Sequence, residues 1–343
     1  MGQVVTIGLD IAKSVFQVHG VDAAGEVVVR RQIRRAQLLQ FFSKQPACRV
    51  GIEACATAHY WARELGRLGH DVRLMPPSYV KPYVKRQKND AADAEAICEA
   101  VCRPTMRFVE AKSPEQQSVM VLHRVRLMLM RQRVQLSNAI RGHMAEFGLV
   151  SPIGREGLQS LLQLVEAADA RVPEEARVCI GLLGSQLQLV NAQILETDRR
   201  IRTSARASEV GRRLMTIPGV GPLLASALVA TIPDPKAFKR GRNLAAWIGL
   251  VPKQNSSGGK ERLGGITKQG DRYLRQLLVV GALAVVRYAE RHGTRRPWLV
   301  QLLARRTTKV ATVALANKTA RMIWAVMTSG ESYREPLPAA AAA

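Results

Sequence analysis

The sequence of 343 residues has few cysteines, no long apolar run and no glycine-rich ATP-binding loop ending in Gly-Lys-Ser/Thr. Its five cysteines form no Cys-x-x-Cys pair, so we expect small buried side chains in a reducing compartment, without disulfides or a zinc site. The longest mainly apolar stretches, 223–232 and 277–286, have ten residues each, whereas a membrane-spanning helix needs about 20. The first residues lack the pattern of a secretion signal. We therefore expect a protein that is neither secreted nor membrane-spanning.

Acidic residues are also scarce, since 27 Asp and Glu face 51 Lys and Arg, which leaves a net charge of +24. The excess is concentrated, because residues 236–309 contain 17 basic and only 3 acidic side chains. A polyanion is the first partner to consider, with nucleic acid the commonest and an anionic membrane surface its competitor. We interpret residues 236–309 as a module that contacts such a polyanion.

The first hundred residues have the pattern of an α/β sheet. β-branched runs at 4–9, 15–21 and 27–33 precede alternating helical and extended segments. The predicted order, β-β-β-α-β-α-β-α, resembles that of a ribonuclease H-like (RuvC-like) sheet and differs from the strict alternation of a dinucleotide-binding fold. Residues 236–330 are predicted to be helical apart from a loop at 252–265. The predicted fold class is therefore α/β plus all-α.

Two long helices are predicted between these regions. Ser113-Pro114-Glu115-Gln116 has the residues of a helix start. Narrow apolar seams follow at helical spacing in two groups: Leu122, Val125, Leu129, Leu136, Ile140 and Phe147, then Leu183, Leu187, Val190, Ile194 and Ile201. Such stripes are typical of a coiled-coil hairpin or a helical dimer interface, and ordinary packing within one chain explains them equally well.

Four acidic residues stand at places where strands end or a helix begins. Asp10 and Glu53 follow two strands that would be neighbours in a ribonuclease H-like sheet, and Asp90 and Asp93 share one face at the start of a helix. Converging carboxylates would repel one another and raise each other's pKa. A divalent cation with oxygen ligands, such as Mg²⁺, resolves this conflict. The alternative is that Asp90 and Asp93 only favour the helix start and Glu53 is exposed.

Two glycine-rich segments are candidates for contact with DNA. The run Ile217-Pro-Gly-Val-Gly221 resembles a helix-hairpin-helix turn, in which backbone N–H groups approach a phosphate, although a plain turn is the alternative. Residues 252–265 combine flexible glycines and basic side chains with Ser256 and Ser257. A serine hydroxyl needs activation to act as a nucleophile, and the alternative is a flexible basic loop with incidental serines. The six scattered histidines support no Ser-His-Asp triad, and we expect structural roles for them.

Together these segments resemble insertion-sequence transposases that combine a RuvC-like DEDD domain with a C-terminal serine-containing domain. The resemblance runs in the family's order from about residue 4 to residue 330. It rests on Gly8-Leu9-Asp10-Ile-Ala-Lys13, Gly51-Ile-Glu53-Ala, Asn89-Asp90-Ala-Ala-Asp93-Ala, Ile217-Pro-Gly-Val-Gly221, Trp247-Ile-Gly-Leu-Val-Pro252, Ser257-Gly258 and Thr267-Lys268-Gln-Gly270-Asp-Arg-Tyr-Leu-Arg275.

The resemblance implies a DNA transposase or site-specific recombinase with a catalytic serine and Mg²⁺. Asp10, Glu53, Asp90 and Asp93 would bind the Mg²⁺, and the serine would become covalently linked to DNA. Counting forward from Pro252 selects Ser257, which we take as the nucleophile, whereas counting backward from Gly270 selects Ser256. The residues expected to contact nucleic acid are Lys253, Lys260, Arg262, Lys268, Arg272, Arg275, Gly219 and Gly221.

The resemblance also implies partners and an organisation. The expected partners are the DNA of the element ends and the target, a non-coding bridge or seek RNA that guides the enzyme, and further copies of the chain in a dimer or tetramer. The acids of one subunit would meet the serine loop of another, in the bacterial cytoplasm at the nucleoid. We expect a RuvC-like domain at 1–108, a long-helix oligomerisation region at 109–208, a transposase domain at 209–332 and a disordered tail at 333–343.

Two other functions fit the same residues. A metal-dependent junction-cutting nuclease would use water, with the serine loop only binding DNA. A non-enzymatic scaffold would bind nucleic acid without cutting it. A covalent protein–DNA adduct would exclude the first, and metal-dependent cleavage would exclude the second.

Overall fold

A computed structural model describes residues 2–85, 89–293 and 296–335. The chain divides into two compact units, residues 1–114 and 115–343, called here the N-terminal and C-terminal units. The finer division into domains at 1–108, 109–208 and 209–332 stays a prediction. Of the tail expected to be disordered, residues 336–343 lie outside the described residues.

The N-terminal unit is built on a five-stranded sheet with the strand order β3-β2-β1-β4-β5. The strands are β1 (Thr6–Asp10), β2 (Val15–Val21), β3 (Val27–Arg34), β4 (Arg49–Glu53) and β5 (Asp71–Met75). β1, β2 and β3 pair antiparallel, whereas β4 and β5 continue the sheet in parallel from the other side of β1. In the turn between β2 and β3, Asp22 Oδ1 accepts the N–H groups of Ala24 and Glu26 at 2.9 and 3.0 Å. The predicted order of strands and helices is confirmed except for one additional short helix, Pro77–Val80, between the fifth strand and the last helix.

Helix α4 packs unusually close to the middle of this sheet. The helices of this unit are α1 (Leu38–Ser43), α2 (Ala58–Arg67), α3 (Pro77–Val80) and α4 (Asp90–Val101). A Cβ atom at Gly8 of β1 would lie 2.1 Å from the Ala94 carbonyl oxygen, and one at Gly51 of β4 would lie 2.8 Å from the Val101 Cβ. Only glycine fits at such distances, so these two strand glycines let α4 lie directly on β1 and β4.

Long helices open the C-terminal unit, namely α5 (Pro114–Ala145), α6 (Arg155–Glu166) and α7 (Glu174–Ala207). Leu129 of α5 packs in one apolar cluster with Val190 and Ile194 of α7, so the two predicted seams meet within one chain. Val125, which was predicted to lie in the first seam, is instead exposed. His123, two positions earlier in α5, is buried instead and is only 3% exposed.

Helix α7 is, among the described helices, the one that is long and apolar enough to cross a membrane by length and composition. Its buried side chains, however, lie at the helical spacing of the seam, and they include Leu187, Val190, Ile194 and Ile201. The same test is passed by core helices of proteins without membrane segments. The packing of this seam accounts for only part of the apolar character of α7, because 28% of its most apolar window is buried and Leu182, Leu189 and Leu195 are exposed.

The rest of the C-terminal unit is a helical core that carries one small hairpin. The elements are α8 (Glu209–Leu214), α9 (Pro222–Thr231), α10 (Gly241–Ile248), β6 (Pro252–Gln254), β7 (Leu263–Ile266), α11 (Arg272–His292), α12 (Pro297–Arg305) and α13 (Thr308–Ser329). The helices share one apolar cluster. Residues 252–265 were predicted to be a loop, whereas β6 and β7 pair antiparallel and make this segment a short hairpin.

The prediction that the cysteines are buried holds for only two of the five. Cys48 and Cys98 are buried, whereas Cys55, Cys102 and Cys179 are exposed. All five are free thiols.

Candidate active site

Three of the four predicted acids converge at one edge of the N-terminal sheet. Asp10 is the last residue of β1, while Asp90 and Asp93 occupy the first turn of α4. One carboxylate oxygen from each lies within 4.8 Å of the other two. Asn89 caps the start of α4, since its side chain accepts the N–H of Ala92 at 2.7 Å. The close packing of α4 on Gly8 brings its two acids to the end of β1.

Glu53 lies beside this group and affects it electrostatically. It is the last residue of β4, which runs parallel to β1 with Ile52 opposite Leu9. Among the described residues, the set of three close carboxylates does not include Glu53. Burial, followed by the charges of Asp93, Asp90 and Glu53, raises the pKa of Asp10 from 3.8 to about 6. All four acids therefore form one electrostatic unit, called here the acidic cluster.

The acidic cluster has the donor set of a site for a hard divalent cation. Its ligand atoms are carboxylate oxygens, which Mg²⁺, Mn²⁺ and Ca²⁺ prefer over nitrogen or sulfur. The exposed thiol of Cys55 is nearby, but partial burial and the charges of Glu53 and Asp10 raise its pKa. The thiol therefore stays protonated at neutral pH, and a soft thiolate ligand is disfavoured. Mutual repulsion among the acids would be relieved by a cation.

The two candidate serines lie at the exposed end of the hairpin β6–β7, called here the serine hairpin. The Ser256 hydroxyl accepts the backbone N–H of Arg262 at 3.2 Å, and the Ser257 carbonyl accepts the N–H of Lys260 at 3.1 Å. Within the described part of the chain, the Ser257 hydroxyl has no hydrogen-bond partner. The hairpin thus uses the Ser256 side chain to hold its own shape and leaves the Ser257 oxygen open to a reactant.

The base of the serine hairpin is fixed by two glycines that are 21 positions apart. A Cβ atom at Gly249 would lie 1.9 Å from the Gln269 carbonyl oxygen, and one at Gly270 would lie 1.7 Å from the Trp247 carbonyl oxygen. Both glycines have positive φ, +83° and +86°. The end of α10 and the start of α11 therefore touch backbone to backbone, and the hairpin extends from this junction.

Most of the predicted nucleic-acid contacts are exposed near the hairpin, but Arg275 has another role. Exposed side chains are those of Lys253, Lys260, Arg262, Lys268 and Arg272. The Arg275 guanidinium instead donates to the carbonyl oxygens of Ile248 and Gln269, at 2.7 and 3.2 Å. Its charge stabilises the end of α10 and the junction described above, so contact of Arg275 with nucleic acid stays only a prediction.

The predicted helix-hairpin-helix glycines lie in the turn between α8 and α9. Gly221 is exposed and immediately precedes the first residue of α9. Gly219 has φ +87°, and a Cβ there would lie 2.9 Å from the Gly281 carbonyl oxygen of α11. The close approach at Gly219 is thus made to the protein's own helix, and Gly221 is the better placed of the two for contact with a phosphate.

Sequence reasoning missed a buried polar contact that joins α5 to α9 and α11. His123 Nδ1 lies 2.9 Å from the Tyr273 hydroxyl, and its Nε2 lies 3.1 Å from the Ser226 hydroxyl. Burial, with a smaller effect from Arg126, lowers the pKa of His123 to about 4, so the ring is neutral and can donate from one nitrogen and accept at the other. A lone histidine within an apolar seam was the one signal for it. The structural role expected for the histidines is confirmed at this position.

Comparison with known proteins identifies the family. A family model for the DEDD transposases of the IS110 type, described as Transposase, matches residues 7–148 and so includes the whole acidic cluster. A second, described as Transposase IS116/IS110/IS902 family, matches residues 211–296 and includes the serine hairpin.

Full-length relatives agree with these matches. The chain is 50% identical over 331 residues to a probable family 20 transposase of Pseudomonas aeruginosa, covering 96% of this chain and 98% of the relative. It is 39% identical to the transposase for insertion sequence element IS1328 of Yersinia enterocolitica, covering 97% and 99%. It is 41% identical to that for IS1111A of Coxiella burnetii, covering 97% and 92%. The chain therefore belongs to the IS110/IS116 family of DEDD transposases.

Proposed function

We propose that this transposase cuts and rejoins DNA through a covalent bond to Ser257, with Mg²⁺ held by Asp10, Glu53, Asp90 and Asp93. That it is a DNA-cutting and DNA-joining enzyme follows from its family, and the non-enzymatic scaffold is thereby excluded. The observation that carries the proposal is the convergence of three carboxylates within 4.8 Å.

The acidic cluster supports the metal part of the proposal. Membership of the DEDD family implies dependence on a divalent metal, and the oxygen-only donor set suits Mg²⁺. Asp10, Asp90 and Asp93 would hold the ion, with Glu53 beside them as a further ligand. When bound, the ion supplies charge stabilisation at a phosphoryl group and its leaving oxygen.

The open hydroxyl at the end of the hairpin supports the serine part. The Ser257 oxygen would attack a DNA phosphorus and lose its proton, while the bond from phosphorus to the departing deoxyribose oxygen breaks and that oxygen takes up a proton. One phosphoester replaces another, so the bond energy is kept. A hydroxyl of the second strand would then attack this ester, form the new DNA bond and release Ser257.

The alternative of a water-using nuclease accounts for cutting but not for joining. Hydrolysis converts the phosphoester into separate ends, and rejoining them requires another energy source. The sequence has no glycine-rich ATP-binding loop of the Gly-Lys-Ser/Thr type. A covalent intermediate keeps the phosphoester energy for joining. The remaining route is direct attack of a 3′-hydroxyl on the second DNA, directed by the acidic cluster, and it would not need Ser257.

The remaining parts of the proposal concern the fold and the partners. The strand order β3-β2-β1-β4-β5, with acids at the ends of β1 and β4, supports a ribonuclease H-like N-terminal domain. The net charge of +24 supports binding of both DNA and a non-coding guide RNA. A homo-oligomer, dimer or tetramer, in the bacterial cytoplasm completes the proposal.

Trapping of the covalent adduct tests the proposal. Labelled element-end DNA is incubated with Mg²⁺, quenched in denaturant and separated by electrophoresis. Wild type should give a protein-linked DNA band, and Ser257→Ala should give none while still binding DNA in a mobility-shift assay. Ser256→Ala is the matched control, because it removes the same atom from the neighbouring position, and it should retain the adduct. An undiminished adduct with Ser257→Ala would overturn the assignment.

A further inference from the structure

The far end of α11 carries a second cluster of basic side chains that the proposed reaction does not use. Arg287 and Arg291 lie in its last turns, while Arg305, Arg306 and Lys309 lie where α12 is followed by α13. All five side chains are exposed. The Thr308 hydroxyl donates to Glu290 Oε1 at 2.8 Å, and this contact brings the two segments together. We call these five residues the distal patch.

The charge of the distal patch has no counterpart on the protein. Glu290 is the one acidic residue in positions 287–309, and its carboxylate is engaged by Thr308. Within the described residues, none of the five cations forms an ion pair, in contrast to Arg126 with Asp198 or Arg200 with Glu196. Like charges gathered without partners repel one another, and a polyanion would remove that repulsion.

Two aromatic rings lie among these cations. Tyr288 is 64% exposed, and its ring centroid lies 4.7 Å from that of His292. A tyrosine hydroxyl can donate to a phosphate oxygen, as arginine and lysine do, without reading the base sequence. Arginine, lysine and tyrosine on one exposed surface form the side-chain set that positions a nucleic-acid backbone.

The distal patch is well separated from the serine hairpin. Arg272 and Arg291 stand near opposite ends of α11, 19 residues apart, which corresponds to about 28 Å along a helix. This distance is more than twice the width of the DNA major groove, about 12 Å. A duplex that crosses α11 at one surface therefore does not reach the other, whereas one that lies along α11 would contact both surfaces and bind only once per chain.

We infer that the distal patch binds the backbone of a second DNA duplex while the serine hairpin engages the first. A transposase joins two DNA partners, and each partner must be held in register by phosphate contacts. The inference rests on the proposed function only for the role of the hairpin. The distal patch would thus be the second DNA-binding surface of the same chain.

Stoichiometry with short duplexes tests this inference. The full-length protein is titrated with duplexes of roughly one helical turn, and bound DNA per chain is measured by analytical ultracentrifugation. Wild type should bind two per chain. The variant Arg287→Gln/Arg291→Gln/Arg305→Gln/Arg306→Gln should bind one, with an unchanged melting temperature because all four side chains are exposed. For a longer duplex, its plot of log affinity against log salt should lose about 0.9 in slope per phosphate contact removed.

A hairpin variant separates this inference from the proposed function. Lys253→Gln/Lys260→Gln/Arg262→Gln should also bind one duplex, and it should lose the covalent adduct, whereas the distal variant should keep it. If the hairpin variant alone still binds two duplexes, the proposed hairpin contact fails and the distal patch stands. Two duplexes per chain with the distal variant, or one with wild type, would overturn the inference. The inference would also be overturned if the distal variant lost affinity for structured RNA while its DNA binding stayed unchanged.

Discussion

The acidic cluster and the serine hairpin are positioned by the same kind of contact but differ in their electrostatic state. Gly8 lets α4 reach the end of β1, and Gly249 and Gly270 join the two segments below the hairpin. The acidic cluster is partly buried and self-repelling, so the pKa of Asp10 is raised to about 6. Ser257 is exposed, and its hydroxyl forms no hydrogen bond to the described residues. The cluster can therefore be tested without DNA, whereas the hairpin can be tested only with it.

The largest expected effect is the loss of a cluster acid. Asp10→Asn or Asp93→Asn keeps the size of the side chain and removes a charge that a cation needs, so strand exchange in Mg²⁺ should fall by roughly 10³-fold or more. Circular dichroism should show an unchanged fold. Asp71→Asn, which breaks only surface ion pairs with Arg49 and Arg73, is the control and should stay active. Activity of the Asp10 variant near that of the control would remove the metal site from the account.

A smaller effect is expected where the hairpin is anchored. Gly270→Ala places a Cβ about 1.7 Å from a carbonyl oxygen at a residue with φ +86°, so it should destabilise the C-terminal unit by roughly 2–4 kcal/mol. Adduct formation should fall by about tenfold or more, since the hairpin loses its fixed base. Gly265→Ala, which meets no atom within 4 Å, should be nearly silent. Equal behaviour of the two variants in thermal unfolding and adduct assays would show that the junction does not position the hairpin.

The two units should respond to pH in opposite directions when no metal is present. The raised pKa of Asp10 favours its protonated form in the folded state, so the N-terminal unit should lose stability as pH rises from about 4 to 6. Allowing for solvent screening of this partly exposed group, the loss should be on the order of 2 kcal/mol. The lowered pKa of His123 favours its neutral form, so the C-terminal unit should gain stability as pH rises from about 4 to 6.5.

Hydrogen exchange of amides in β1 and α9 measures each unit separately. In the Asp10→Asn variant, the protection of β1 amides should depend less on pH than it does in wild type. Millimolar Mg²⁺ at pH 7 should slow exchange in β1 of wild type but not of the variant. A β1 profile that Asp10→Asn leaves unchanged would mean that burial and the neighbouring carboxylates do not raise the pKa of Asp10.

The N-terminal unit was largely predictable from sequence because its signals are local. β-branched runs marked the strands, and the places where they ended marked Asp10 and Glu53. The hairpin was misread as a loop because its glycines and polar residues carry no alternating pattern. His123 was missed because its partners, Ser226 and Tyr273, lie 103 and 150 positions away, and no local pattern encodes such a contact.

Arg275 and Val125 show that the charge or the spacing of a residue does not by itself determine its role. The charge of Arg275 suggested nucleic acid, but the carbonyl oxygens of Ile248 and Gln269 engage it. The spacing of Val125 suggested the seam, but the side chain is exposed. Charge and periodicity restrict what a side chain can do, and only its neighbours decide which of those possibilities is used.

The identity of the residue that is linked to DNA tests the central claim most directly. Adduct formed by the wild-type protein is digested with protease and nuclease, and the peptide that carries the nucleotide is sequenced by tandem mass spectrometry. The account predicts a phosphoester on Ser257, whose hydroxyl is open, and not on Ser256, whose hydroxyl accepts the Arg262 N–H. Attachment to any other residue, or strand exchange without a linked peptide, would contradict it.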